Sequence, residues 1–389
     1  MTKYDFDKLI DRHNTYSTQW DYISDRFGHD DILPFSISDT DFAVPKAVQT
    51  ALIQRIQHPI YGYTRWNHPA FKDSIVKWFE ADSRVKIDSD WIVYSPSVIY
   101  TLATLIRMHS QPGDTVATFT PMYDAFFGAI ESNHRVLAPI RLSPADQDYR
   151  IDWDSLALIL AQTRTKIFIL TNPHNPTGKV FTPAELTRLY ELCQAHNVYL
   201  ISDDIHRDII YPGMQYTPIT MIGLKNVALL CSGSKTFNTP GLIGSYALLP
   251  DEPTRSEFLI ELKQRNALSS VSIMGMTAQM AAYNESRDYV EQLVAYLDNN
   301  MRILDNFIKK ELPLIKFTKP QATYLAWLNV SALNLSSTEL QQRLTEIGKI
   351  GIMPGETYGD STYLRMNIAC PVDKLMRGLE GLKKAIGGS

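Results

Sequence analysis

A single lysine, Lys235, sits in CSGSKTFNTPG (231–241), a run of small and hydroxyl residues that follows the apolar stretch NVALL (226–230). An amine in such a place can attack a carbonyl or carry a proton, provided its surroundings do not keep it a solvated cation. Four other apolar stretches end in polar clusters. KIFIL (166–170) runs into TNPHNPTG (171–178), VYLIS (198–202) into DDIHRD (203–208), DWIVYS (90–95) into PSV (96–98), and TVATF (115–119) into TPMYDAF (120–126). If these stretches are strands of one sheet, they deliver Asn172, Asn175, Asp203, His206, Ser232, Ser234, Lys235 and Tyr123 to one face.

That set suits an anionic, aromatic ligand held covalently. A phosphate carries roughly −1.5 to −2 charges and needs several donors. Backbone N–H groups at the helix start after Pro96 and the hydroxyls of Ser232 and Ser234 would supply them. Tyr123 would stack on a ring. Asp203, expected half-buried at a strand end, would need a cationic partner to stay ionised, and a protonated ring nitrogen would serve. Lys235 would be the Schiff-base lysine. The ligand so described is pyridoxal phosphate. Taken singly, each residue has an ordinary reading: a loop lysine, a helix-capping aspartate, Asn-Pro turns, a hydrogen-bonded histidine. The ordered set is what points to the chemistry.

The elements that must position these residues alternate. Between the strand-like runs, to which SYALL (245–249) adds a sixth, lie segments of helical spacing at 98–108, 154–162 and 183–197, the last with Pro183 after Thr182. This alternation predicts an α/β fold with a doubly wound, largely parallel sheet, whose ligands sit at the carboxyl ends of the strands. From residue 287 the pattern changes to one long helix (287–312), short strands at 324–329 and 363–369, and helices near 337–347 and 372–386. The expected domains are an N-terminal arm at 1–45 that is part of the small domain, a large cofactor-binding domain at 46–286, and a smaller α+β domain at 287–389.

Composition narrows the function. The chain has 389 residues, 44% hydrophobic and 21% charged, with a net charge of −4. This gives no excess of positive charge for nucleic acid or an acidic membrane. Cys193, Cys231 and Cys370 are far apart and make no zinc pattern, so no metal is expected and a reducing cytoplasm fits best. No signal core or membrane-spanning run is evident. No strand is followed by G-x-G-x-x-G, which argues against a nicotinamide dehydrogenase.

NPHNPTG, SDDIH and SGSK in this order resemble the fold-type I pyridoxal-phosphate enzymes of the class I/II aminotransferase superfamily. The resemblance extends over nearly the whole chain, through ISDTDFAVP (37–45), IYGYT (60–64), PGD (112–114), TPMY (120–123), TYLAWLN (323–329) and YLRMNIACP (363–371). SDTDF followed by YGYT, the histidine of DDIH and the R-x-N-x-A-C-P ending are most similar to cystathionine β-lyases of the MalY/PatB type, a carbon–sulfur lyase branch.

The resemblance implies a fold-type I transferase fold, with a mostly parallel seven-stranded sheet in the large domain and a smaller α+β domain. It implies that Lys235 bonds the cofactor aldehyde, Asp203 pairs with the pyridine nitrogen, Asn175 and His206 lie by the ring 3′-oxygen, and Tyr123 covers one ring face. Phosphate would fall to Ser232, Ser234, the N–H groups near Val98 and Ile99, and Tyr61 from a second subunit, hence a homodimer with shared active sites. Arg365 would grip the carboxylate of an amino-acid substrate, with Ser38 nearby. The implied reaction is β-elimination from cysteine thioethers, the alternative being an aminotransferase. Four positions depart from common patterns. Ile243 stands where many aminotransferases place an arginine eight residues after the lysine, His206 replaces a tyrosine, Asp204 replaces a glutamate, and Ser38 replaces a small apolar residue of the lyases.

Overall fold

Apolar runs without alternation suit strands covered on both faces, and such runs form the central sheet of this computed structural model. The structure describes residues 3–81, 85–146 and 148–387. The strands of the sheet are β1 (Ile92–Ser95), β2 (Thr115–Thr120), β3 (Val136–Ala145), β4 (Asp148–Ile151), β5 (Thr165–Thr171), β6 (Tyr199–Asp203), β7 (Val227–Cys231) and β8 (Ser245–Leu248). Their order in space is β1-β8-β7-β6-β5-β2-β3-β4. The five strands from β7 to β3 run parallel. β8 is antiparallel to both neighbours, and β4 folds back antiparallel on β3. Every residue of β1, β6 and β7 is buried.

The six runs read as strands are all strands, and the sheet has eight strands where the resemblance implied seven. β3 and β4 had no expectation of their own. β3 carries Pro139 and Pro144, which cannot donate to a ladder and which interrupt the apolar pattern. β4 is a four-residue hairpin partner at the sheet edge.

Because β8 reverses between β1 and β7, the carboxyl ends of β1, β2, β5, β6 and β7 and the start of β8 all open on one edge. Helix Val98–His109 begins just beyond β1, capped by the Ser97 side chain, which accepts from Tyr100 N–H. Helix Pro183–Ala195 starts with a capping box between Thr182 and Glu185.

The long helix spans Arg287–Glu311 and leads to a second, four-stranded antiparallel sheet in the order Lys316–Phe317, Leu325–Asn329, Tyr363–Asn367, Met353–Pro354. The N-terminal arm is stitched to this region. Leu33–Pro34 pairs parallel with Ile350–Gly351, and Asn367 Nδ2 donates to the carbonyls of Ile37 and Asp39, each at 2.6 Å. Arg12 bridges Asp39 (2.7 Å) and Asp41 (2.9 Å), and Lys374 pairs with Asp41 at 2.5 Å. One apolar core runs through both sheets.

Gly178, closing the 171–178 loop, has φ +71°, and a Cβ there would lie 2.3 Å from Pro320 Cβ and 2.8 Å from the Ala322 carbonyl. Only glycine allows this approach, which Gln321 N–H seals by donating to Gly178 O at 3.1 Å. Among the described residues no helix is long and apolar enough to cross a membrane, and no cluster of metal-ligating side chains occurs.

Candidate active site

A cavity of about 380 Å³ opens on the edge where the strands end. Lys235 projects into it from the loop after β7, and its Nζ donates to the Ser38 carbonyl at 2.7 Å. Burial lowers its pKa to about 8, so near neutrality a share of the amine is unprotonated. Asp203, the last residue of β6, lines the same cavity. It is more buried than the sequence suggested, at 4% exposure. Ile205 N–H donates to its Oδ1 at 3.1 Å, and no cationic side chain among the described residues forms an ion pair with it. Burial therefore pushes its carboxyl up to about 7.

The neighbouring Asp204, one residue beyond the end of β6, does not line the cavity. It accepts from the Ser202 hydroxyl and the Tyr216 phenol inside the core, and burial raises it to about 7 as well. The departure at this position thus lies outside the cavity.

Asn175 lines the cavity, and its Oδ1 accepts from Arg365 Nη1 at 3.1 Å. Arg365 comes from the second sheet, is 3% exposed, donates from Nη2 to the Ser36 carbonyl at 3.0 Å, and leaves Nε without a partner. Its guanidinium lies 4.2 Å from the Tyr358 ring centroid. His206 is buried, its Nδ1 is unpartnered, and burial lowers its pKa to about 3, so the ring is neutral. Tyr123, half-buried after β2, contributes a wall, with its phenol raised by burial.

At the opposite end the first turn of helix Val98–His109 faces the cavity. Ser97 takes the N–H groups of Tyr100 and Thr101, while those of Val98 and Ile99 have no acceptor among the described residues. Ser234 lines the cavity with them. Ser232 Oγ donates to the Gly244 carbonyl at 2.9 Å and accepts from Ser234 N–H at 3.2 Å, so it braces the loop from within. Ile243 lies at the mouth, 59% exposed.

Some residues fall elsewhere. Asn172 is turned away, donating to the Thr217 carbonyl at 3.0 Å. Tyr61 stands outside its own chain's cavity, 53% exposed, with its phenol on the Ile56 carbonyl at 2.6 Å. At Ser38 the carbonyl is the working group, and the buried hydroxyl has no partner. Tyr324, which sequence reasoning gave no role, donates to that same carbonyl at 3.0 Å and stands edge-on to His206 at 5.9 Å. Nothing in the spacing of TYLAWLN singles it out.

Comparison with known proteins agrees with this geometry. The family model for aminotransferase class I and II matches residues 30–382. Protein MalY of Escherichia coli (strain K12) is 42% identical over 385 residues, covering 98% of this chain and 99% of that protein. Cystathionine beta-lyase PatB of Bacillus subtilis (strain 168) is 36% identical over 386 residues, with the same coverage. Among solved structures, the PLP-bound C-S lyase from Staphylococcus hominis superposes with a TM-score of 0.92 at 27% identity, covering 98% of both chains. A family match over nearly the whole length, joined to a cavity at the strand ends that collects a lysine, an aspartate and an asparagine, leads to one conclusion: the chain belongs to the aminotransferase class I and II family.

Proposed function

We propose that this chain is a pyridoxal-phosphate-dependent carbon–sulfur lyase that releases the thiol from cysteine thioethers, with cystathionine yielding homocysteine, pyruvate and ammonia. The observation that carries the reading is the meeting, in one cavity, of the Lys235 amine and the buried Asp203 carboxyl that lacks a cation.

The residues present fit the cofactor. Asp203 needs a positive charge opposite it, which a protonated pyridine nitrogen provides. The N–H groups of Val98 and Ile99 at a helix start, with Ser234, suit a phosphate. Asn175 keeps its amide N–H₂ for a ring oxygen, because its Oδ1 is held by Arg365. Tyr123 offers a ring to stack on. When bound, pyridoxal phosphate supplies an electron sink that acidifies the α-hydrogen of an amino acid.

The chain's own residues do the rest. Arg365 holds the substrate α-carboxylate and so fixes which bond at Cα faces the base. Lys235, with its depressed pKa, takes the α-proton at Nζ. Asp203 would stay ionised opposite a cationic ring nitrogen and would keep that nitrogen protonated. The electron pair left at Cα would form the Cα–Cβ double bond as the Cβ–S bond breaks, the thiolate would leave and take up a proton, and water would hydrolyse the released enamine to pyruvate and ammonia.

Support for elimination over amino transfer comes from the relatives called cystathionine beta-lyase and C-S lyase, and from Ile243 in place of an arginine. A homodimer is supported by Ile53, Ile56, Ile60, Tyr61 and Tyr63, exposed together on one segment, where a second copy would place Tyr61 of the partner subunit on the phosphate. Three free, buried thiols support a reducing cytoplasm. The deciding assay supplies cystathionine alone and, separately, an aromatic amino acid with a keto acid. Thiol and pyruvate without keto acid bear the reading out, and turnover that strictly needs a keto acid overturns it in favour of an aminotransferase.

A further inference from the structure

A second cavity, of about 220 Å³, is walled by Arg207 and Asp208, just past the end of β6, and shares no lining residue with the first. Arg207 is 6% exposed. Its guanidinium lies 3.7 Å from the Phe79 ring centroid and 5.1 Å from that of Tyr216. Nε and Nη1 have no hydrogen-bond partner, and Nη1 stands 3.6 Å from Asp208 Oδ1, beyond hydrogen-bonding reach.

A second guanidinium lines the same cavity. Arg287, exposed at the start of the long helix, lies over the Trp78 ring at 4.1 Å and donates from Nη2 to the Trp78 carbonyl at 3.0 Å. Among the described residues no carboxylate forms an ion pair with it. Against these two cations the lining has one carboxylate, and that one already has donors: Asp208 accepts from Trp78 Nε1 and from the Thr236 hydroxyl, each at 2.9 Å. A buried guanidinium with N–H groups left open forgoes hydrogen bonds that an anion would give it. Ile210, Met214 and Val290 add an apolar side to the cavity.

We infer that this cavity is a second ligand site, for a small aliphatic monocarboxylate, with Arg207 and Arg287 on the carboxylate and Ile210, Met214 and Val290 on the chain. Two cations against one carboxylate leave an excess positive charge that a monoanion balances. Planar guanidiniums recognise a carboxylate by paired N–H donors. The site is separate from the one where Arg365 lies, so the inference does not depend on the lyase reading. Asp208 connects it to the lysine loop, because Thr236 directly follows Lys235.

Calorimetric titration of the holoenzyme with butyrate, acetate, butyramide and inorganic phosphate tests this without using turnover. Butyrate should bind, more tightly than acetate or phosphate, and butyramide should not. Arg287→Gln should weaken butyrate by about tenfold or more. Met214→Trp should do the same, since it fills the cavity from an exposed position and leaves the buried Arg207 in place. Arg365→Lys should leave butyrate binding unchanged. Loss of binding in Arg365→Lys would place butyrate in the reacting cavity and overturn the inference. So would unchanged binding in either of the other two variants, no binding to the parent protein, equal binding of butyramide, or tighter binding of phosphate.

Discussion

The amine of Lys235 donates at 2.7 Å to the backbone carbonyl of Ser38, a residue 197 positions earlier in the chain. The Tyr324 phenol donates to the same oxygen at 3.0 Å. The arm that carries Ser38 is thus held by the β7 loop and by the second sheet at once. When the lysine bonds another group, Tyr324 keeps the carbonyl satisfied, so the arm does not depend on the state of the lysine.

Lys235→Ala should keep a cooperative thermal transition and lose both the visible band of the covalently held cofactor and about 10²–10⁴-fold in turnover. Absorbance and pyruvate release measured on one preparation check this. A variant that still turns over cystathionine at near the parent rate would remove Lys235 from the mechanism.

The two buried carboxyls give a pH signature. Asp203 and Asp204 have folded-state pKa values of about 7, raised by burial above the ordinary 3.8. The folded state therefore holds more protons than the unfolded one between about pH 4 and 7, and stability falls as pH rises through that window. A bound cationic ring relieves Asp203 alone. The gap in Tm between cofactor-loaded and cofactor-free protein should widen from pH 5 to pH 8, and Asp203→Asn should flatten that widening. A gap independent of pH in the parent protein would mean that no cation meets Asp203.

Arg365→Lys should raise KM for amino-acid substrates by about tenfold to a hundredfold, with a smaller effect on kcat, because a single ammonium cannot make a bidentate contact. The same change removes the 3.1 Å bond to Asn175. A rise in KM without loss of the cofactor band separates substrate binding from cofactor binding, and steady-state kinetics on both proteins read it directly.

Mixed dimers test the crossing of Tyr61. Chains carrying Tyr61→Ala and chains carrying Lys235→Ala, each impaired alone, should regain activity when dissociated and reassociated together. One site of the hybrid then has an intact lysine and an intact tyrosine from the other chain. If Tyr61 served its own chain, no hybrid site would be whole and activity would stay low.

Gly178→Ala should cost about 1–3 kcal/mol or more, from the left-handed φ of +71° and the contact of its Cβ with Pro320. Denaturant unfolding of the two proteins measures it. A neutral result would show that segment 320–322 shifts without cost.

Much of the site was legible because parallel strands make it local in sequence: each polar cluster follows its own apolar run, as with SGSK after NVALL and DDIH after VYLIS. The six runs, the long helix and the residues from Tyr123 to Lys235 follow from periodicity and from what each strand runs into. The parts that escaped depend on distant pairing. Pro139 and Pro144 hid β3, whose register on β2 is fixed by tertiary contact. Asn172 carries the same side chain as Asn175 in the same loop, yet it turns to Thr217. Tyr324 and the Ser38 carbonyl meet across 286 residues, and no local pattern reports that.

The stitching of the arm also bears on the order in which the protein is made. The strand ends carrying Asn175, Asp203 and Lys235 leave the ribosome well before residues 363–367, which supply Arg365 and the Asn367 clamp on Ile37 and Asp39. During synthesis the arm gains its hold in stages, Ser38 from Lys235 and then Tyr324, and Ile37 and Asp39 only from Asn367 on the last strand. A nascent chain can complete the strand ends that carry Asn175, Asp203 and Lys235 long before it can grip a substrate, and a chain that stops before residue 365 lacks that grip.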